Sequence, residues 1–207
     1  MLDPNASTIT RAMHLMRSAW SATLLFDQSP IETKCMIDPR TGDFLVAVAK
    51  DAFEADDIVL ACPRDSLETQ IRISIELSQD VTEEQSDRFT AYHLPSTTPL
   101  LAAGKLEYAK LDSGEVVTSD ECTLINPLVG SMGSLCRALN ADRDALAGLC
   151  RFLSGVEHEL PLAVGIDPAG IDIRASFGLV RLVFPVPVGD ADEAMSSIEA
   201  LLESCNA

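Results

Sequence analysis

The chain has 207 residues, 47% of them hydrophobic and 23% charged, with a formal net charge of −17 and a pI near 4.3. That hydrophobic share supports a folded core, and the length suffices for one large domain or two small ones. Acidic residues outnumber basic ones in both halves and no basic stripe occurs, which argues against nucleic-acid binding and against docking on an anionic membrane surface.

Thr8 to Trp20 is expected as an amphipathic helix, with Ser7 or Thr8 as cap and Ile9, Met13, Met16 and Trp20 at helical spacing. Strands are expected at Ala22–Phe26, Ile31–Ile37 and Phe44–Ala49. Asp38-Pro39-Arg40-Thr41-Gly42-Asp43 turns the chain, because Pro sets φ and Gly frees it. Ile58–Cys62 is strand-like. Gln70–Leu77 alternates, with Ile71, Ile73, Ile75 and Leu77 on one face and Arg72, Ser74 and Glu76 on the other. A polar helix, Thr82–Tyr92, leads to a sixth strand at Leu100–Leu111, and Asp112-Ser113-Gly114 turns into Glu115–Thr118.

After Asn126-Pro127 the spacing becomes helical. Leu128–Leu153 reads as two helices meeting near Leu139-Asn140, with Asn140 or Asp142 capping the second. Strands at Ala163–Ile166, Ile171–Ala175 and Leu179–Phe184 precede a closing helix, Asp190–Ser204. The division expected is 1–122 and 123–207.

No apolar run reaches the roughly 18 residues needed to span a bilayer, and no secretory signal is visible. The cysteines, Cys35, Cys62, Cys122, Cys136, Cys150 and Cys205, form no Cys-x-x-Cys pair and no zinc-spaced cluster. A cytoplasmic protein with reduced thiols and no metal site is expected. Gly130-Ser131-Met132-Gly133-Ser134 precedes a helix and is noted as an anion-binding possibility.

The last third carries a resemblance. Asn140-Ala141-Asp142, then Gly165-Ile166-Asp167-Pro168-Ala169-Gly170-Ile171-Asp172-Ile173-Arg174, then Arg181-Leu182-Val183-Phe184-Pro185-Val186-Pro187-Val188 occur in order with suitable spacing. This resembles the C-terminal module of bacterial haem-utilisation proteins, which follows a split barrel like that of pyridoxamine-phosphate oxidase. In the first part, Asp87-Arg88-Phe89-Thr90-Ala91-Tyr92-His93 is similar to the Arg-Tyr-x-x-x-His-Pro helix end of such barrels. The implied fold is α+β: an FMN-binding-like split β-barrel followed by a C-terminal α/β module. A homodimer through the barrel's open side is implied too.

The resemblance implies FMN or haem as cofactor. Where the family commonly has histidines, this chain has Ala138 and Arg143, and neither offers a neutral imidazole nitrogen. Only His14, His93 and His158 remain; His93 ends the expected polar helix, where an imidazolium suits the negative end of the helix dipole, and it is the best haem-ligand candidate. For a flavin phosphate the candidates are Lys50, Arg64, Ser66, Arg72 and Ser74, with Arg72 as the principal contact and Ser74 and Lys50 assisting. Asp51, Asp56, Asp57, Asp65 and Glu68 crowd that region and oppose a dianion. Arg174 and Arg181 are expected to pair with Asp172 or Asp167. No catalytic residue is assigned. The resemblance thus implies either a non-catalytic, weakly ligand-binding member that acts through a protein partner, or an FMN- or haem-dependent oxidoreductase. Plant proteins of the same two-part layout bind and regulate an enzyme of tetrapyrrole synthesis.

Overall fold

The computed structural model describes residues 6–27, 29–62, 70–94, 100–155, 161–176 and 178–205. Arg64, Ser66 and His158 lie outside the described residues. The chain divides into two compact units, Met1–Ile125 and Asn126–Ala207; the boundary expected from the sequence falls three residues earlier, after Cys122.

Unit one opens with α1, Thr8–Arg17. The Ser7 hydroxyl accepts from the Thr10 amide at 3.2 Å and starts the helix. Ala12 and Met16 are fully buried, whereas Ile9 is 36% exposed. The buried stripe therefore differs from the expected one. The helix stops at Ser18, whose amide bonds the His14 carbonyl, so Trp20 falls out of helical phase.

The strands β1 (Ser21–Phe26), β2 (Ser29–Ile37), β3 (Phe44–Val48), β4 (Val59–Cys62), β5 (Ile71–Ser78) and β6 (Leu100–Leu111) follow, with helix α2 (Glu83–His93) between the last two. They run in the order β3-β2-β1-β4-β5-β6, and β6 pairs back onto β3 from Phe44↔Gly104 to Val48↔Leu100. The six strands thus form a closed barrel. A short seventh strand, β7 (Val116–Thr118), pairs with β6 farther along, from Tyr108↔Thr118 to Lys110↔Val116. The sequence reading expects a partly open barrel, and the described strands form a closed one.

The barrel interior is filled. Leu24, Phe44, Val46, Leu60, Ile71, Ile73 and Ala102 are buried in one cluster with Ala12 and Met16 of α1. Antiparallel register puts α1 at one end of the barrel. The 3-10 turn Lys50–Glu54 closes the other, with Ala52 buried and Phe53 partly so.

Strand β6 changes face along its length. Ala102, Gly104 and Leu106 point inward, then Ala109 and Leu111 do, while Glu107 and Tyr108 are both exposed. The register slips at this point, between Ser74 and Ile75 of β5, which is a β-bulge. Gly104 is where the wall comes closest to Ile75: a Cβ there would meet Ile75 Cδ1 at 2.7 Å.

Unit two comprises α3 (Val129–Ala141), α4 (Arg143–Ser154), β8 (Leu162–Asp167), β9 (Gly170–Ala175), β10 (Gly178–Val183) and α5 (Ala191–Cys205). Its sheet has the order β10-β9-β8 and is antiparallel. The module is therefore α+β rather than an alternating α/β unit. Leu135, Leu149, Ile166, Ile171, Ile173 and Ile198 belong to its core.

Ile73 is fully buried in the barrel. Ile73→Ala is expected to cost roughly 2–4 kcal/mol in denaturant unfolding; a cost below about 0.5 kcal/mol would contradict its place in the core.

Candidate functional site

The residues singled out for chemistry lie on unit one, and register fixes their positions. Arg72 of β5 stands opposite Lys110 of β6, and Ser74 stands opposite Tyr108. Lys50 follows β3, whose Val48 stands opposite Leu100. Lys110 and Leu100 are ten residues apart on β6, or about 33 Å along the strand. Lys50 and Arg72 therefore sit at opposite ends of the barrel and do not meet around one phosphate.

Arg72 is exposed on the outer face beside Ala61 and Lys110. Ser74, two residues on, is 8% exposed, and its hydroxyl donates to Glu107 Oε2 at 2.6 Å. Glu107 is the extra residue of the bulge. The hydroxyl expected to bind an anion is thus committed to one, and its carboxylate would repel a phosphate drawn to Arg72. Lys110 is the cation that the sequence reading missed. Only the β5–β6 register could have found it.

His93 ends α2, and this helix lies along β2. At its start, the Thr82 hydroxyl accepts from the Gln85 amide and the Gln85 side chain accepts from the Thr82 amide, a capping box. Gln85 Nε2 also donates to Asp38 Oδ2 at 2.9 Å, and Thr41 Oγ1 donates to the same oxygen at 3.1 Å. Asp38 is 2% exposed; these donors stand in for lost water. At the other end, His93 Nε2 donates to the Cys35 carbonyl at 3.0 Å. Eight helical residues rise about 12 Å, and the three strand residues from Cys35 to Asp38 span about 10 Å, so both tethers reach.

The His93 ring packs on Phe89 with centroids 4.6 Å apart. Burial lowers its pKa from 6.5 to about 4, against the raising effect of the Cys35 carbonyl; the Lys34 charge adds to the lowering. This corrects the expectation of an imidazolium at the helix C-terminus. His93 is a neutral ring holding α2 to β2, and an iron atom at Nε2 would have to displace the Cys35 carbonyl.

Two pockets in unit one have volumes of about 170 and 210 Å³. These are smaller than the roughly 300–1,000 Å³ of ordinary ligand sites. Trp20, Cys62 and Gln70 help to line the first, and Asp43, Lys105 and Thr123 the second. Lys50, Arg72, Ser74 and His93 line neither. Among the described residues, no group of three His, Cys, Asp or Glu side chains could hold a metal ion, and Cys35, Cys62, Cys122, Cys136 and Cys150 are free thiols.

In unit two the residues of the C-terminal motif have structural partners. Asn140 Nδ2 donates to the Ala163 carbonyl at 2.9 Å, and Asn140 Oδ1 accepts from the Ala163 amide at 2.8 Å. Its side chain pairs with the outer edge of β8 as another strand would. Asn126 Nδ2 bonds the Ile166 carbonyl on that strand at 2.7 Å. Asp142 Oδ1 caps α4 by accepting from the Ala145 amide at 2.9 Å. Arg181 donates to Asp167 Oδ1 and Asp172 Oδ1, each at 2.6 Å, with its side chain 5% exposed. Burial opposes its charge, but Asp172 and Asp167 outweigh that and raise its pKa. Gly170 is required there, since a Cβ would collide with the Leu182 carbonyl. Ala138 and Arg143, where the resemblance would place histidines, are exposed.

No protein-family model and no curated protein matches the chain. Among solved structures it is similar to Atu2129 from Agrobacterium tumefaciens str. C58, a protein of unknown function. The TM-score is 0.66 at 18% identity, covering 98% of this chain and 100% of that one. This likeness shows the fold alone. A heme binding protein from Mycobacterium smegmatis aligns with a TM-score of 0.39 at 15% identity, over 100% of this chain and 99% of that one. At that score the likeness carries no argument about ligands. No helix among the described residues is long and apolar enough to cross a membrane.

The His93 shift has a definite sign. The unfolded chain takes up a proton below pH 6.5, while the folded chain resists until about pH 4. Stability is therefore complete above pH 6.5 and falls as pH drops toward 4, by an amount on the order of 3 kcal/mol. In His93→Gln the amide can still donate to the Cys35 carbonyl but does not titrate. Urea unfolding between these pH values should then lose much of its slope; an unchanged slope would place the proton elsewhere.

Proposed function

We propose that this protein is a split-barrel relative of the haem-utilisation and pyridoxamine-phosphate-oxidase-like proteins that has kept the fold and lost the cofactor chemistry. It acts as a non-catalytic or weakly ligand-binding protein, through contacts with other proteins. The observation that carries this reading is the dispersal of the candidate cofactor residues. Lys50 is at the far end of the barrel from Arg72, Ser74 is bonded to Glu107, and His93 is bonded to the Cys35 carbonyl. A homodimer and a cytoplasmic setting belong to the same reading.

One arrangement favours the alternative, an FMN- or haem-dependent oxidoreductase. Arg72 and Lys110 are like charges directly opposite each other on adjacent strands, which is destabilising unless an anion lies between them. A flavin phosphate would be such an anion. Glu107 beside Ser74 opposes it.

FMN titration followed by flavin fluorescence separates the two readings. No saturable binding is expected up to about 100 µM, the range of very weak affinity. Micromolar binding that collapses in Arg72→Ala would establish the oxidoreductase alternative in its place.

A further inference from the structure

The two edges of the unit-two sheet are treated differently. The outer edge of β8 is occupied by Asn140 and Asn126 side chains. The outer edge of β10 has no strand partner among the described residues.

The direction of the β10 backbone groups follows from one bond. The Phe184 amide donates to the Ala169 carbonyl at 2.9 Å, continuing the register in which Val183 faces Gly170. Antiparallel pairs alternate between those that exchange hydrogen bonds and those that do not. Leu182↔Ile171, Val180↔Ile173 and Gly178↔Ala175 are therefore the bonded pairs. The close approach of the Leu182 carbonyl to Gly170 agrees. Leu179, Arg181 and Val183 consequently direct their N–H and C=O groups away from β9, to the open edge.

The sequence of this edge is unguarded. Gly-Leu-Val-Arg-Leu-Val contains no proline and no lysine, and its one charge, Arg181, is held by Asp167 and Asp172 of its own unit. Natural edges of this length are normally blunted by charge, proline or a bulge. Val183 and Val186 beside it are 42% and 69% exposed. The pattern is also self-complementary about Arg181. In a two-fold antiparallel pairing Leu179 meets Val183, Val180 meets Leu182, and Arg181 meets its own copy. Apolar residues meet apolar ones, and each guanidinium arrives already neutralised by its own carboxylates.

We propose that the open edge of β10 docks the β10 strand of a second copy of this chain, joining two three-stranded sheets into one of six strands. This rests on the homodimer of the proposed function and assigns it a surface other than the barrel. Two bonds form in each of the pairs Leu179–Val183, Arg181–Arg181 and Val183–Leu179. A contact of this kind falls short of the roughly 1,200 Å² of stable interfaces, so the association is weak.

Sedimentation equilibrium of the full chain tests this. Wild type is expected to show a reversible monomer–dimer equilibrium with Kd on the order of 10–100 µM. Val183→Pro removes an outward N–H and no bond to β9, so the variant should keep its circular dichroism and sediment as a monomer. Should that variant fail to fold, Val183→Lys, which keeps every backbone donor, decides instead and should also be monomeric. A monomer in wild type up to about 100 µM would overturn both the dimer and its edge. A dimer unaffected by the folded variant would overturn the β10 assignment while leaving a dimer that forms elsewhere.

Discussion

Closure of β6 onto β3 is the constraint on which unit one depends. Five residue pairs, from Phe44↔Gly104 to Val48↔Leu100, turn an open sheet into a ring. Closure requires β6 to serve β5 along one edge and β3, then β7, along the other. A strand this long must turn to follow the wall, and the bulge at Glu107 provides the turn. The bulge also puts the Glu107 carboxylate against Ser74. The geometry that closes the barrel thus removes a hydroxyl from any anion site, and it carries Lys50 and Arg72 to opposite ends.

Unit two follows the same logic. The residues that make its motif recognisable serve the sheet: Asn140 covers the edge of β8, Asp142 starts α4, and Asp167 and Asp172 hold Arg181. A buried ion pair of this kind is weak evidence for net stability, but removing one partner is costly because a buried charge is left behind. Such residues persist for folding reasons whether or not a cofactor site persists with them. The resemblance in this stretch therefore speaks to architecture.

Much of this fold could be read from the sequence, because its signals are local. The alternation of Ile71, Ile73 and Ile75 marks β5, the Asp38–Asp43 turn marks the β2–β3 hairpin, and the Thr82–Gln85 box starts α2. The Arg181 pairing with Asp167 and Asp172 was also anticipated, since residues around one hairpin have few other partners. What could not be read depends on register. Arg72 beside Lys110, Ser74 beside Glu107 and Lys50 far from both all follow from pairings between strands distant in sequence. The face change within β6 and its consequence for Ser74 follow from the β5–β6 register. The burial of His93 was missed for the same reason: a helix end suggested a solvated imidazolium, and the contact with Cys35 is 58 residues away in sequence.

Under the proposed function, the candidate cofactor residues serve the fold. The most direct measurement is the absorption spectrum of the full chain, purified from cells supplied with riboflavin and haem precursor, with bound cofactor quantified per chain after denaturation. Neither a flavin band nor a Soret band above trace occupancy is expected. A stoichiometric flavin or haem retained through purification would contradict the proposed function.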